Sequence, residues 1–262
     1  MKHLVSLSGG IGSYFTLKRV LEKYNKEDVV PIFCDTLMED GDLYRFLDDI
    51  ERVLDIKILK LCVGETPTTL CFKERFLFNS RVASCSKKLK SRPFRNYMKE
   101  NYKPDECILY LGIDFTETHR CGAIVKNYKP YNVEFPMCEK PYLYKEELLE
   151  MLTDDGIEIP RMYKLGFAHN NCGGRCYKAG IKHYKNLLEK DRIRYLEWEN
   201  QEEMVRMSLG KDVAMMKRKG KPFTLHELRV IMDEEKKEEQ AELLKCEDWG
   251  GCGCFVEEDY ED

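Results

Sequence analysis

Hydrophobic and polar positions along the first 135 residues alternate between two periods. Apolar runs of strand length lie at His3–Leu7, Val29–Asp35, Ile56–Cys62 and Cys107–Ile113, with YNVEFPM at 131–137 as a fifth candidate. Between the first three runs, Tyr14–Tyr24 and Leu43–Leu54 carry apolar residues at helical spacing, which indicates amphipathic helices. Strands that alternate with helices predict an α/β fold, a doubly wound and mostly parallel five-stranded sheet with helices on both faces.

The second half of the chain carries mainly helical patterns. They predict an acidic helix over Lys145–Leu152, a long charged helix over Lys178–Leu209, a basic stretch at Gly210–Phe223 and a last helix from Thr224. Glu227 follows Thr224 by three residues, as in a capping box. We therefore predict a division into residues 1–176, which hold the sheet, and residues 177–262, a helical C-terminal region with a cysteine-rich tail.

Composition narrows the class of protein. The chain is 43% hydrophobic and 34% charged with a net charge of -4, so any polyanionic partner must be held by a local basic patch. No apolar run approaches the roughly twenty residues of a membrane span, and no signal peptide precedes the first strand. We therefore expect a cytoplasmic protein without a membrane partner. In that reducing compartment its twelve cysteines are not expected to form structural disulfides.

The stretch VSLSGGIGSYF, residues 5–15, places two adjacent glycines and two serines between the first strand and the first helix. Such a loop lets backbone N–H groups turn inward, and the helix N-terminus adds partial positive charge, so it can cradle an anion such as phosphate. The alternative is a plain strand-to-helix turn. In a parallel sheet Ser8–Ser13, Asp35–Glu39 and Asp114–Arg120 all follow strands, so these polar loops are expected along one rim.

The same loop resembles a known phosphate-binding motif. SLSGGIGS is similar to the PP-loop of the adenine nucleotide alpha-hydrolase superfamily, whose usual form is SGG-x-D-S. Within that superfamily, the chain resembles the phosphoadenosine phosphosulfate (PAPS) reductase family. The resemblance is carried, in the family's order, by FCDT, CSKKLKSRPF, LGIDFTETHR, EKPYLYKEELLEMLTDDGIEIPRMYKLGF and NNCGGRC, which span Leu4 to about Cys176. It implies a Rossmann-like PP-loop domain over residues 1–176.

The resemblance also implies a site for ATP with Mg²⁺. Its nucleotide-binding residues would be Ser6, Ser8, Gly9, Gly10, Gly12, Ser13, Asp35, Thr36 and Gly112. Arg120 would reach the phosphates or the substrate as a catalytic residue, because its guanidinium fork suits phosphate oxygens. A surface ion pair of Arg120 with Glu117 or Asp114 is the alternative, as is a helix N-cap for Asp35.

Two positions depart from the family pattern. Gly12 stands where SGG-x-D-S carries its aspartate, so backbone phosphate contacts are retained while the function of that carboxylate is lost. Sulfonucleotide reductases of this family also carry a near-terminal Glu-Cys-Gly nucleophile, and this chain has CEDWGGCGCF instead. Cys252 and Cys254 lie in that tail between glycines, which would let them reach an active site as catalytic nucleophiles or sulfur carriers.

Other cysteines suggest a metal site. Cys172-x3-Cys176 lies at a helix start, and Cys85 sits where iron–sulfur relatives place a ligand. Together with Cys252 these thiolates would complete a [4Fe–4S] cluster, with zinc as the alternative. Cys254, Cys246 or an exogenous ligand could replace Cys252, and reduced, simply buried cysteines are the remaining interpretation.

The function favoured by these residues is an ATP-dependent enzyme that adenylates its substrate and releases pyrophosphate. Sulfur transfer to a nucleoside or nucleic acid is the favoured version, and two basic stretches, 87–95 and 211–221, would suit a polyanion. Three alternatives remain: a sulfonucleotide reductase, an amidating synthase of the deazaguanine type, and a catalytically silent nucleotide-binding protein. A homodimer is also left open.

Overall fold

The computed structural model describes residues 1–79 and 84–246, without the side chains of Ser84 and residues 240–246. Its main sheet consists of β1 (Lys2–Leu7), β2 (Val29–Asp35), β3 (Leu59–Cys62), β4 (Cys107–Leu111) and β5 (Asn132–Glu134). The order is β3-β2-β1-β4-β5, and every neighbouring pair is parallel. The predicted α/β fold with a five-stranded sheet is confirmed. The third strand is shorter than predicted, since it begins at Leu59.

Helices cover both faces of this sheet and make up most of the rest of the described chain. They are α1 (Ile11–Lys23), α2 (Gly41–Leu54), α3 (Pro67–Glu74), α4 (Ser84–Ser86), α5 (Arg92–Asn101), α6 (Cys121–Tyr128), α7 (Lys145–Asp154), α8 (Arg161–Lys164), α9 (Ile181–Lys190), α10 (Arg192–Leu209) and α11 (Leu225–Cys246). Short 3₁₀ turns lie at Lys26–Asp28, Phe115–Arg120, Pro136–Cys138 and Asn171–Gly174, and Lys87–Ser91 forms a π-helical turn between α4 and α5.

The long helix predicted over Lys178–Leu209 is wrong in one respect, because two helices occupy that segment. Asp191 interrupts them with a non-helical backbone (φ -149°, ψ 75°), and its carboxylate accepts the Arg194 N–H at 3.1 Å. An aspartate that caps a new helix competes with continuation of the old one. The chain therefore turns at Asp191, and α10 starts afresh.

The basic stretch 210–223 contains a hairpin that the sequence pattern did not reveal. Strand β6 (Met216–Arg218) pairs antiparallel with β7 (Lys221–Phe223). Lys219 and Gly220 both have positive φ, the conformation required by a tight two-residue hairpin turn. The capping box predicted at Thr224 is confirmed, since Thr224 N–H donates to Glu227 Oε2 at 2.7 Å and Glu227 N–H donates to Thr224 Oγ1 at 3.1 Å.

Three apolar clusters form the core. Neighbouring residues of β1 point to opposite faces, so Val5 packs with α1, α2 and α7 while Leu4 packs with α5. A third cluster joins Leu70 and Phe78 to residues 177–232, with Trp198 buried among them. This cluster includes residues on both sides of the predicted boundary at residue 176, and the division itself stays a prediction. Among the residues that the structure describes, no helix is both long enough and apolar enough to cross a membrane.

Candidate functional site

The loop between β1 and α1 is held by its own serines and by one neighbouring helix. Ser13 Oγ donates to the Gly10 carbonyl at 2.7 Å and accepts the Ser8 N–H at 3.2 Å. Gly9 has a φ of +78°, and a Cβ there would lie 2.5 Å from Cδ1 of Leu43 in α2. A glycine is therefore required at position 9, and the loop is fixed in the tight form that an anion cradle needs.

The end of β4 closes against this loop. A Cβ on Gly112 would lie 3.0 Å from backbone atoms of Gly12 and Ser13, so only a glycine allows the two segments to approach this closely. Chain order in the sheet reverses at this place, because β1 lies between β2 and β4. Ligands of doubly wound sheets bind at such a switch point, beyond the carboxyl ends of the strands.

Two cavities meet at the switch point, with volumes of about 450 Å³ and about 540 Å³. Both are lined by Ser8, Ser13, Gly112, Glu117, His169 and Asn171. Gly10, Gly12 and Lys145 lie only on the first cavity, which we call the loop cavity. Ser6, Lys90 and Arg120 lie only on the second, which we call the basic cavity. The two sides of the loop between β1 and α1 therefore face separate spaces.

Six of the predicted nucleotide-binding residues line these cavities, whereas Gly9, Asp35 and Thr36 do not line either one. Asp35 Oδ1 accepts the Leu37 N–H and the Tyr44 hydroxyl, each at 2.8 Å. Thr36 Oγ1 donates to Glu39 Oε1 at 2.9 Å. Their assignment to nucleotide binding stays a prediction. The N-cap of α2 is Asp40 rather than Asp35.

Arg120 forms the expected ion pair with Glu117, while its contact with phosphate or substrate stays a prediction. Its guanidinium donates to the Glu117 carboxylate, and its side chain lies on the wall of the basic cavity. The side chain is about half exposed, at 48%. An exposed ion pair of this kind is weak and can be exchanged for a phosphate contact.

Three further residues of the loop cavity were not identified from the sequence. Lys145 Nζ lies 4.4 Å from the ring centroid of Tyr163, and the Tyr163 hydroxyl accepts the N–H of Ile11 at 3.0 Å. Asn170 is fully buried and donates from Nδ2 to the Gly9 carbonyl at 2.8 Å. All three fall in segments that carry the family resemblance. The contacts of Tyr163 and Asn170 with the loop span 152 and 161 positions of the chain.

Asn170 leads directly into a turn that carries the paired cysteines. Cys172 and Gly173 both have positive φ, and the Cys172 N–H donates to Glu39 Oε2 at 2.5 Å. Glu39 is buried, and its Oε1 accepts from Lys90 Nζ at 2.9 Å. The cysteine turn (residues 170–176) is thus hydrogen-bonded to the tips of both β1 and β2.

The two thiols of this turn interact. A hydrogen bond from the Cys172 thiol lowers the pKa of Cys176 to about 6, an effect that burial opposes and that the Lys178 N–H and nearby lysines reinforce. The same hydrogen bond, together with burial, raises the pKa of Cys172. Burial also raises the pKa of Cys85, on which Cys176 exerts a smaller electrostatic effect. The hydrogen bond thus favours the thiolate on Cys176 over that on Cys172, and the thiolate is the form that binds metals and attacks electrophiles.

The predicted metal ligands are only partly assembled. Over the described ranges 1–79 and 84–246, no group of three His, Cys, Asp or Glu residues could hold a metal ion. Cys252 and Cys254 lie outside the described residues. The thiolate chemistry suits a soft metal, but Cys85, Cys172 and Cys176 do not by themselves form a ligand set. The metal site stays a prediction.

A buried carboxylate anchors the cysteine turn from the other side. Asp40 Oδ2 accepts from Arg161 at 2.7 Å and from Arg194 at 2.5 Å, and Arg194 also donates to the Gly173 carbonyl at 3.1 Å. Burial alone would raise the pKa of Asp40, but the hydrogen bonds from the two arginines and the Asp42 N–H outweigh it and keep the pKa below its usual value of 3.8. Asp40, Arg161 and Arg194 thus form one ionic junction, the Asp40 junction. It connects the N-terminus of α2 with α8, α10 and the cysteine turn.

Comparisons with known proteins give partial similarities. No family model matches the chain. An uncharacterized protein from Methanocaldococcus jannaschii is 32% identical over 110 residues, which cover 42% of this chain but only 22% of that protein. The chain is also similar to the crystal structure of phosphoadenylyl-sulfate (PAPS) reductase from Candida auris in a phosphate complex, with a TM-score of 0.46 and 14% sequence identity. This match covers 64% of this chain and 79% of the other.

Proposed function

We propose that this chain is a PP-loop enzyme of the PAPS reductase-like type, which binds an adenine nucleotide across the tips of β1 and β4. The observation that carries the proposal is the glycine loop at the switch point, closed by Gly112 and open to two cavities. Backbone N–H groups and the start of α1 provide the positive potential that phosphate oxygens require.

The paired cavities support an adenylation reaction. A nucleotide in one cavity and an acceptor in the other would meet at Ser8, Ser13 and Gly112, which line both. An acceptor oxygen would attack the α-phosphorus, the bond to the bridging oxygen of the β-phosphate would break, and pyrophosphate would leave with that electron pair. Holding both reactants in line is the contribution expected of the protein.

Sulfur transfer to a nucleoside or nucleic acid is the finer version of this proposal. Lys90 and Arg120 give the basic cavity two cations beside the loop. A sulfur nucleophile would then displace AMP from the adenylated acceptor. A sulfur donor would first place a persulfide on Cys176 or on a tail cysteine, Cys252 or Cys254. The terminal sulfur of the persulfide would bond to the acceptor as AMP leaves, and a second cysteine thiolate would then attack the carrier sulfur, which releases the thiolated product and leaves a disulfide.

A metal on Cys85, Cys172 and Cys176, completed by Cys252, is a separate part of the proposal. A bound [4Fe–4S] cluster or zinc ion would supply an electrophilic site for sulfur, and the Cys176 thiolate supports it. Adenylation as described requires only the loop and its cavities.

The first test is nucleotide binding by a loop variant. A Cβ on Gly10 would lie 3.4 Å from Ser8 Oγ and from the Tyr163 hydroxyl, so Gly10→Val fills the cradle. Calorimetry should show ATP binding to the wild-type protein and none to this variant. Gly122→Val is the matched control, because a Cβ there meets nothing within 4 Å, and its affinity should be unchanged.

Equal affinity in Gly10→Val and wild type would remove the loop from the site. Pyrophosphate release in the presence of candidate acceptors then separates an enzyme from a catalytically silent nucleotide-binding protein. Binding of phosphoadenylyl sulfate in preference to ATP would favour the sulfonucleotide reductase instead.

A further inference from the structure

One aromatic hydroxyl occupies the anion-binding end of α1. The Tyr163 hydroxyl lies 3.0 Å from the Ile11 nitrogen and accepts its N–H, the first of the helix. Gly10, the N-cap, offers no side chain to that turn. A tyrosine hydroxyl therefore stands where the oxygen of a bound phosphate would receive the same N–H.

Lys145 places a cation beside that hydroxyl. Its Nζ lies over the Tyr163 ring at 4.4 Å from the centroid and donates to the carbonyls of Phe167 and Ala168, each at 3.2 Å. Both Lys145 and Tyr163 line the loop cavity together with Ser8, Gly10 and Gly12. The ammonium group thus faces the same space as the phosphate loop.

Lys145 differs from the other cations around the site in having no carboxylate partner. Lys90 pairs with Glu39, Arg120 with Glu117, and Arg161 and Arg194 with Asp40. For Lys145, no Asp or Glu in the part of the chain that the structure describes lies within the 4.0 Å of an ion pair. Burial lowers its pKa, and the electrostatic effect of the neighbouring Glu146 carboxylate offsets this only in part. An anion entering the cavity would remove this penalty.

We propose that Lys145 binds the β- or γ-phosphate of the nucleotide, and that Tyr163 holds the Ile11 N–H until a phosphate oxygen replaces its hydroxyl. The inference rests on the proposed function and adds its substrate selectivity. A charged phosphate oxygen accepts a stronger hydrogen bond from an N–H than a neutral hydroxyl does, so the exchange is favourable. A nucleoside monophosphate lacks the groups that reach Lys145. The site should therefore select nucleoside di- and triphosphates.

Calorimetry with ATP, ADP and AMP tests this selectivity. Lys145→Met should weaken ATP and ADP binding by about tenfold or more, the usual value of a charge-assisted hydrogen bond, and change AMP binding by less than about twofold. Lys145→Arg should retain most of the ATP affinity. Tyr163→Phe should bind ATP at least as tightly as the wild type, since a competing acceptor is removed while the ring remains.

Lys164→Met is the matched control. Lys164 follows Tyr163 in α8, is about half exposed and pairs with Glu158, so its loss should leave all three affinities unchanged. Equal weakening of ATP and AMP in Lys145→Met, or ATP affinity equal to that of wild type, would overturn the inference while leaving nucleotide binding intact. Failure of the wild-type protein to bind any nucleotide would instead overturn the proposed function.

Discussion

Gly12 occupies the position at which similar loops carry an aspartate, and its surroundings leave room for a side chain. A Cβ there would lie 3.7 Å from the Gly112 carbonyl, an ordinary contact. By contrast, Gly9 and Gly112 have close neighbours, and Gly9 also has a positive φ. Gly9 and Gly112 are therefore needed because a side chain would not fit, whereas position 12 has room for one.

Replacing Gly12 and Gly9 should show which of these two positions requires a glycine for steric reasons. We expect Gly12→Asp to fold with a free energy of unfolding within about 1 kcal/mol of wild type. Gly9→Ala should cost about 1–3 kcal/mol, because it adds strain at positive φ and a clash with Leu43. Denaturant unfolding measures both. A destabilised Gly12→Asp protein would show that position 12 is as constrained as position 9.

At the residue scale, the loop could be predicted from local sequence because its serines and glycines are adjacent. The partners of Lys145 and Tyr163 could not, because Tyr163 meets Ile11 across 152 positions of the chain. For Asp35 the position in the fold could be predicted, but the hydrogen-bond partners could not. Its carboxylate follows a strand as expected, but the Tyr44 hydroxyl and the Leu37 N–H take up Oδ1.

At the scale of the elements, the Asp40 junction connects α2, α8 and α10. Its carboxylate is fully buried between Arg161 and Arg194. Removing one partner of a buried ionic group leaves the others unpaired in a poorly solvated place. The arrangement of these helices around the cysteine turn therefore depends on this one side chain.

Asp40→Asn should lower the free energy of unfolding by about 3–5 kcal/mol at pH 7. Because the folded state keeps the pKa of Asp40 below 3.8, the stabilisation is complete above that pH and is lost as pH falls through the lowered pKa. Urea unfolding should therefore show a difference from wild type that narrows below about pH 4. Asp48→Asn, on the exposed face of α2, is the control and should change little at either pH. An equal loss in both variants would contradict the junction.

Element boundaries were predicted well where a strand or cap has a local signal. Val29–Asp35 and the Thr224 cap are examples. The break at Asp191 escaped prediction even though its cap to Arg194 spans only three residues, because the apolar spacing continues through it. The hairpin at 216–223 escaped for a different reason: its turn, Lys219-Gly220, lies within a run of charged residues that also suits a loop.

On the scale of the whole molecule, the predicted metal site would require three distant segments to meet. Cys85 precedes the basic turn at 87–91, Cys172 and Cys176 lie beyond α8, and Cys252 belongs to the tail. Such a site would cross-link the sheet to the helical region. The alternating pattern predicted the sheet, whereas the third apolar cluster, which joins residues 70–89 to residues 177–232, left no local periodicity to detect.

Anaerobically purified protein should contain iron and show broad absorption at about 400 nm, as iron–sulfur proteins do. Serine at Cys85, Cys172 or Cys176 should lower the iron content, because each removes a thiolate ligand. Cys62→Ser, an exposed cysteine of β3, is the control and should leave it unchanged. Stoichiometric zinc without iron would show that the site binds zinc and not a cluster. Metal-free protein would exclude both the cluster and the zinc site.

The hydrogen bond from Asn170 to the Gly9 carbonyl connects the cysteine turn directly to the loop between β1 and α1. The nucleotide loop and the cysteine turn share it, so a change in the shape of either segment alters the free energy of the other. Linkage is reciprocal: if oxidising or metallating the thiols changes nucleotide affinity by some factor, nucleotide changes the equilibrium at the thiols by the same factor. If the loop binds a nucleotide as proposed, nucleotide occupancy would then depend on the chemical state of the thiols.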